Sequence, residues 1–159
     1  MKVWLPLLLS VLLLGGIYSC RKSGNSPIPY IELISLSPKT IKGGSPTDTA
    51  FLTFNFSDGD GDLGNDISQG DYDVFLRDTR DSLYPILRFP FPHIPDEARD
   101  PIDGLKGNGA IALYAVNLIP RQDTIHKFRG DTVIFQMWIM DRAKNLSNVI
   151  TTTPLYIKP

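Results

Sequence analysis

Between Phe54 and Phe75 the chain reads FNFSDGDGDLGNDISQGDYDVF, with aspartate at 58, 60, 62, 66, 71 and 73 and no lysine or arginine. Carboxylates at that density do one of three kinds of work. They ligate a hard cation: calcium takes six to eight oxygens at about 2.3–2.6 Å. They act in pairs across a glycosidic bond. Or they bond nearby backbone N–H groups, the ordinary chemistry of Asp-Gly turns. Asp58, Asp60 and Asp62 alternate with glycines that let a loop wrap. Three like charges held close raise one another's free energy, so a counter-charge is expected.

The spacing matches the start of an EF-hand loop and then departs from it. Leu63 stands where the sharp-turn glycine belongs, and the twelfth position from Asp58 is Gln69, not a bidentate glutamate. A different rim loop remains, with Asp58, Asp60, Asp62 and Asp66 as calcium ligands, joined by Asp141 and Asn145 from a turn near the C-terminus. Two metal-free readings stand beside it. In one, Arg142 pairs with Asp58 or Asp60 in a turn network. In the other, the loop is simply solvated. Hydrolysis by paired carboxylates is disfavoured, because a glycine-rich rim holds two groups poorly in place. No GxSxG elbow, HExxH or P-loop occurs, and His93 and His126 stand apart from any ligand series. The chain reads as non-catalytic.

The elements that must position these residues begin after residue 19. Met1 and Lys2 precede the apolar run VWLPLLLSVLLLGGIYS, the layout of a secretory signal. Cys20 is the single cysteine, so an internal disulfide is impossible. The preceding IYS together with Cys20 resembles the lipobox of bacterial lipoproteins. The resemblance implies that the Cys20 thiol takes a diacylglycerol and that residues 1–19 are removed. Multiple acyl chains anchor far more firmly than one. The residues after the cysteine, CRKSGNS, lack the acidic run that resembles a surface-display signal. The resemblance therefore implies a place in the cell envelope, with the periplasmic face of the outer membrane as the expected side.

Residues 20–29 are polar, with two prolines and a glycine, and read as a flexible tether. Residues 30–159 suit one domain. The net charge is −1, and the loss of Lys2 with the signal makes it −2, which gives no basis for a nucleic-acid partner. Extended segments are expected at 30–38, 49–58, 72–78, 83–91, 109–119, 131–141 and 148–157. In 49–58 the apolar positions Leu52, Phe54 and Phe56 alternate with Phe51, Thr53 and Asn55. No window has a convincing helical period. About seven strands in one domain of this size make an all-β, two-sheet sandwich of immunoglobulin-like form. In that order the second and sixth strands are expected as neighbours, which brings Asp58 toward Asp141.

Over nearly its whole length the chain resembles a group of small Bacteroidota lipoproteins with an immunoglobulin-like domain. The lipobox, the strand end FNFSDGDGDLG and the turn DRAKNLSN carry the likeness, with Lys144 where that turn more often has glycine. The resemblance implies the fold and the anchor and assigns no activity. One feature remains as a candidate interaction surface. YPILRFPFPHIP sets Tyr84, Phe89, Phe91 and His93 among prolines, and rigid aromatics anchor protein or glycan partners well. The plainer reading of that segment is a cover over a sheet edge.

Overall fold

The computed structural model describes residues 26–65, 72–80, 84–100 and 103–159. Cys20 and Asp66 lie outside the described residues. The strands are β1 (Tyr30–Ser37), β2 (Thr40–Lys42), β3 (Thr49–Asp58), β4 (Val74–Asp78), β5 (Leu87–Phe89), β6 (Leu105–Tyr114), β7 (Asp131–Val133), β8 (Phe135–Ile139), β9 (Ile150–Thr151) and β10 (Leu155–Lys158). Helix among the described residues is limited to one turn, α1 (His126–Arg129), and 3-10 turns at Asp96–Ala98 and Ala115–Asn117. None of it is long and apolar enough to cross a membrane.

One layer of the sandwich is the sheet β1-β3-β6. The other is built from β5-β4-β8-β9 and β2-β10-β7. These two run into each other at a bulge. Gln136 pairs with Thr151 and Val133 with Leu155, so residues 152–154 face only Ile134 and Phe135. Thr152 bridges the gap: its N–H donates to Phe135 O at 2.9 Å, and its Oγ1 accepts from Phe135 N at 3.0 Å. Pro154 sits inside the bulge, where no ladder N–H is required. Each of the seven expected segments thus contains a strand, and the last two break in the middle. The immunoglobulin-like sandwich is the observed architecture.

Two boundaries differ from the sequence reading. Thr40–Lys42, outside every expected segment, forms β2 and pairs in parallel with β10. The fifth segment begins at Leu105 rather than 109 and ends at Tyr114. Its inward positions 107 and 109 are glycines, which hide the alternation from any apolar count. The core itself follows the alternation. Leu52 and Phe54 of β3 and Phe135, Met137 and Ile139 of β8 are buried, while Phe51 is half exposed.

β3 and β8 are not sheet neighbours, as the strand order had suggested. β3 pairs with β1 and β6, and β8 pairs with β4 and β9. They lie in facing layers, and their C-terminal ends meet at one pole. Asp58 and Asp141 therefore approach across the sandwich instead of along a ladder.

Candidate metal centre

The loop leaving β3 turns sharply. Gly61 and Gly64 adopt left-handed φ values of 67° and 83°. A side chain at 64 would also strike the Pro92 carbonyl, 2.3 Å from the position its Cβ would take. The loop is thereby pressed against the segment that precedes β6. Its far end is pinned by Asp73, which is buried. Asp73 accepts from the Asn65 N–H at 2.9 Å and from the Asn65 amide, and its own carbonyl accepts from Met140 N at 2.8 Å. Nothing in the sequence marked Asp73 off from the other acids.

Carboxylate oxygens of Asp58, Asp62 and Asp141 come within 4.8 Å of one another. Asp58 and Asp141 are 1% and 0% exposed. Each acid is held differently. Asp141 is fixed by its own turn: Asn145 N donates to Oδ1 at 2.7 Å and Asn145 Nδ2 to Oδ2 at 2.8 Å. Asp62 Oδ2 accepts from Ala143 N at 3.0 Å. Both oxygens of Asp58 and Oδ1 of Asp62 are buried without a hydrogen-bond partner. A buried carboxylate left unpaired is costly.

The electrostatics follow. Burial, then the charges of Asp60, Asp62 and Asp141, push the Asp58 carboxyl up to about 7. The Asp62 backbone N–H, which makes no hydrogen bond of regular geometry with it, offsets part of the rise. Burial and the charges of Asp141 and Asp60 raise Asp62 as well, against the Ala143 N–H and Arg142.

Several expectations change here. Asp60 is exposed and outside the converging trio, because every second residue of a wrapping loop need not face inward. Asn145 Nδ2 donates to Asp141 and so holds that carboxylate in place, which leaves the amide oxygen as its group for a cation. Asp66 falls outside the described residues. Arg142 does not pair with the Asp58 or Asp60 carboxylate. Its N and Nε donate to the main-chain carbonyl of Asp62 at 3.2 and 2.9 Å, and its Nη2 is buried without a partner. Lys144 takes φ 71°, so the left-handed geometry expected of a glycine in that turn is kept. Ser147 and Asn148 of the same turn are bonded across the fold. Ser147 Oγ accepts from Ile139 N, and the Asn148 amide pairs with both backbone groups of Ile31, joining the two layers.

Tyr84, Phe89, Phe91 and His93 do not form one exposed surface. Phe91 is buried, edge-on to Phe56 with ring centres 5.0 Å apart. Phe89 packs against the core, and Arg80 lies over the Tyr84 ring at 4.8 Å. Of the four, only His93 is exposed. The apolar core needed a cover at that edge, and these aromatics supply it.

A second polar cluster, which sequence reasoning missed, occupies the opposite pole. Arg80, 5% exposed in its side chain, pairs with Asp78 at 2.5 Å and Asp131 at 3.0 Å. Arg121 adds a bond to Asp131 at 3.1 Å and reaches His126 Nε2, while His126 Nδ1 meets Asp123. Here both buried acids, Asp78 and Asp131, have an arginine partner, and Asp131 is held well below the usual carboxylate range by bonds from Arg121 and Arg80 despite its burial. The contrast isolates the first pole as the place where carboxylates gather without compensation.

Three oxygen donors and no nitrogen or sulfur suit a hard cation. Oxygens on opposite sides of one calcium stand about 5 Å apart, twice its bond length. The observed spread lies inside that limit. Compared with known proteins, the chain matches no family model, no curated protein and no solved structure at a significant level.

Proposed function

We propose that this chain is a lipoprotein of the kind found in Bacteroidota, anchored through Cys20 at the periplasmic face of the outer membrane, whose non-catalytic sandwich domain takes one calcium ion between Asp58, Asp62 and Asp141. The observation that carries the metal reading is Asp58: both of its oxygens are buried and unpartnered beside two further carboxylates. A divalent cation there satisfies the orphaned oxygens and removes the mutual repulsion. The site is structural in character, since no nucleophile or open cleft adjoins it among the described residues. The anchor reading rests on the apolar run and the IYS-Cys20 sequence.

Two measurements test the two halves separately. Titration calorimetry of chelator-treated protein is expected to show one calcium bound per chain, a weaker response to magnesium, and none in Asp58→Ala. Absence of calcium heat in a folded sample sinks the metal reading. Cys20→Ser is expected to release the protein from the membrane fraction and to change its mature mass. Unchanged attachment and mass sink the anchor reading and leave the metal site untouched.

A further inference from the structure

β6 is an edge strand, bonded to β3 on one side only. It is ten residues long, and from Gly107 to Tyr114 it reads GNGAIALY, without a charge or a proline. Among the described residues no backbone group bonds to its outer ladder. Natural sheets blunt such edges with lysine, proline, bulges or a covering element. Among the described residues the only such device on the strand itself is Lys106, which pairs with Asp103, and the segment from Phe89 to Ile94 stands across a gap from the edge without bonding to it.

The same edge opens into an apolar cleft of about 560 Å³ between the two layers. Its walls are Phe54, Phe56 and Ile111 from one layer and Phe89, Phe91 and Ile94 from the other side. The sequence builds this opening. Positions 107 and 109 of β6 face the core but carry no side chain, and the rings of Phe56 and Phe54 fold over them. A Cβ at 109 would lie 2.5 Å from Phe54 Cζ, and one at 107 would lie 2.7 Å from Phe56 Cζ. Protein interiors are close-packed and seldom keep voids much larger than a water molecule. The volume lies in the range of true ligand sites, about 300–1,000 Å³.

We propose that β6 and this cleft form a strand-addition site for an extended peptide segment of a partner protein that carries large apolar residues at alternate positions. The two halves of the site ask for the same occupant. An unpaired ladder needs backbone N–H and C=O groups, which a hydrocarbon lacks. A cleft beside the ladder needs a side chain from every second residue, which is the spacing of a strand. Main-chain bonds then give affinity and the apolar side chains give selectivity. No charged side chain lines the cleft, so the inserted residues are uncharged. This site is independent of the calcium reading, being built from different residues.

The test pans a random dodecapeptide library, displayed on phage, against the purified full chain. Selected peptides are expected to show large apolar residues at every second position and to protect alternate β6 amides from hydrogen exchange. Ala110→Lys places a charge on the exposed rim of the cleft and is expected to weaken the selected peptides at least tenfold. Tyr114→Ala, at the other end of the rim, serves if the lysine variant melts low. Glu32→Lys, on the opposite edge of the same sheet, is expected to bind like the parent. The proposal is overturned by the lack of an alternating motif, by equal binding by both rim variants and the parent, or by a fluorescent fatty acid taken up where no peptide is selected. A concentration-dependent dimer that Ala110→Lys abolishes also overturns it, in favour of pairing between two copies of this chain.

Discussion

Asp58→Asn is expected to raise the melting temperature of the calcium-free protein at pH 8 while abolishing the increment that calcium gives. The folded Asp58 carboxyl titrates near 7, above its ordinary 3.8. At pH 8 it is charged in both states, and only the folded state bears the burial and repulsion. As pH falls from about 7 toward 4 the native state takes up its proton first, so stability rises, and below the ordinary value the penalty is gone. A raise of this size corresponds to about 4 kcal/mol. Asparagine removes the charge but leaves a buried amide unpaired, which returns about 1–3 kcal/mol. The net gain is therefore ~1–3 kcal/mol, or about 2–12 °C for a chain of this length. In the parent protein calcium at a hundredfold excess over Kd adds about 2.7 kcal/mol. That increment shrinks below pH 7, where protons compete for the same oxygens. Asp60→Asn, at an exposed position, is expected to keep most of it. Melting curves at pH 5 to 8, with calcium and with chelator, decide the matter. A parent protein whose metal-free stability is flat across that range contradicts the assignment of Asp58.

The opposite pole yields the second large effect, with the opposite sign. Arg80→Ala removes the cation between two buried acids, Asp78 and Asp131. Breaking a buried pair from one side costs about 3–5 kcal/mol, because a charge is left uncompensated. The melting temperature should fall by roughly 6–20 °C. Arg121→Ala touches the same Asp131 but from a more exposed position, 37% in its side chain, and surface pairs give only about 0–1 kcal/mol. Equal losses from the two substitutions would refute the separate roles. Acid removes this contribution too. Asp131 is depressed, so its stabilisation is present above the ordinary carboxylate range and is lost as pH falls below it. Lowering the pH thus relieves one pole and weakens the other.

The sequence made the layers legible because burial repeats every second residue. Leu52 and Phe54, or Phe135, Met137 and Ile139, announce their face by type alone. It was misleading where a strand's inward residues are not apolar, as at Gly107 and Gly109. It was also silent on β2, three residues long and held by β10 from the far end of the chain. At the rim, composition pointed to the acidic loop, and the turn after β8 supplied Asp141. Which loop acids turn inward depended on the left-handed turns at Gly61 and Gly64, so Asp60 was over-weighted and the role of Asp73 was missed. The Arg80 cluster left no trace in local pattern. Its members stand at 78, 80, 121 and 131, and only the pairing of distant strand ends brings them together.

The parallel pairing of β2 with β10 has a mechanical meaning. Ahead of β1, the Ser26 carbonyl accepts from Gly59 N at the acidic pole. β10 runs from there toward the pole that holds Asp131, since Ile157 pairs with Asp131. β2 lies alongside β10 in the same direction. Tension applied between Ser26 and the C-terminal strand therefore loads β1 along β3 and then β2 along β10, in shear. The bonds of each ladder share the load and must fail together, instead of opening one at a time like a zip. Behind the long β1–β3 ladder stand three residues, Thr40 to Lys42, that no apolar pattern announces.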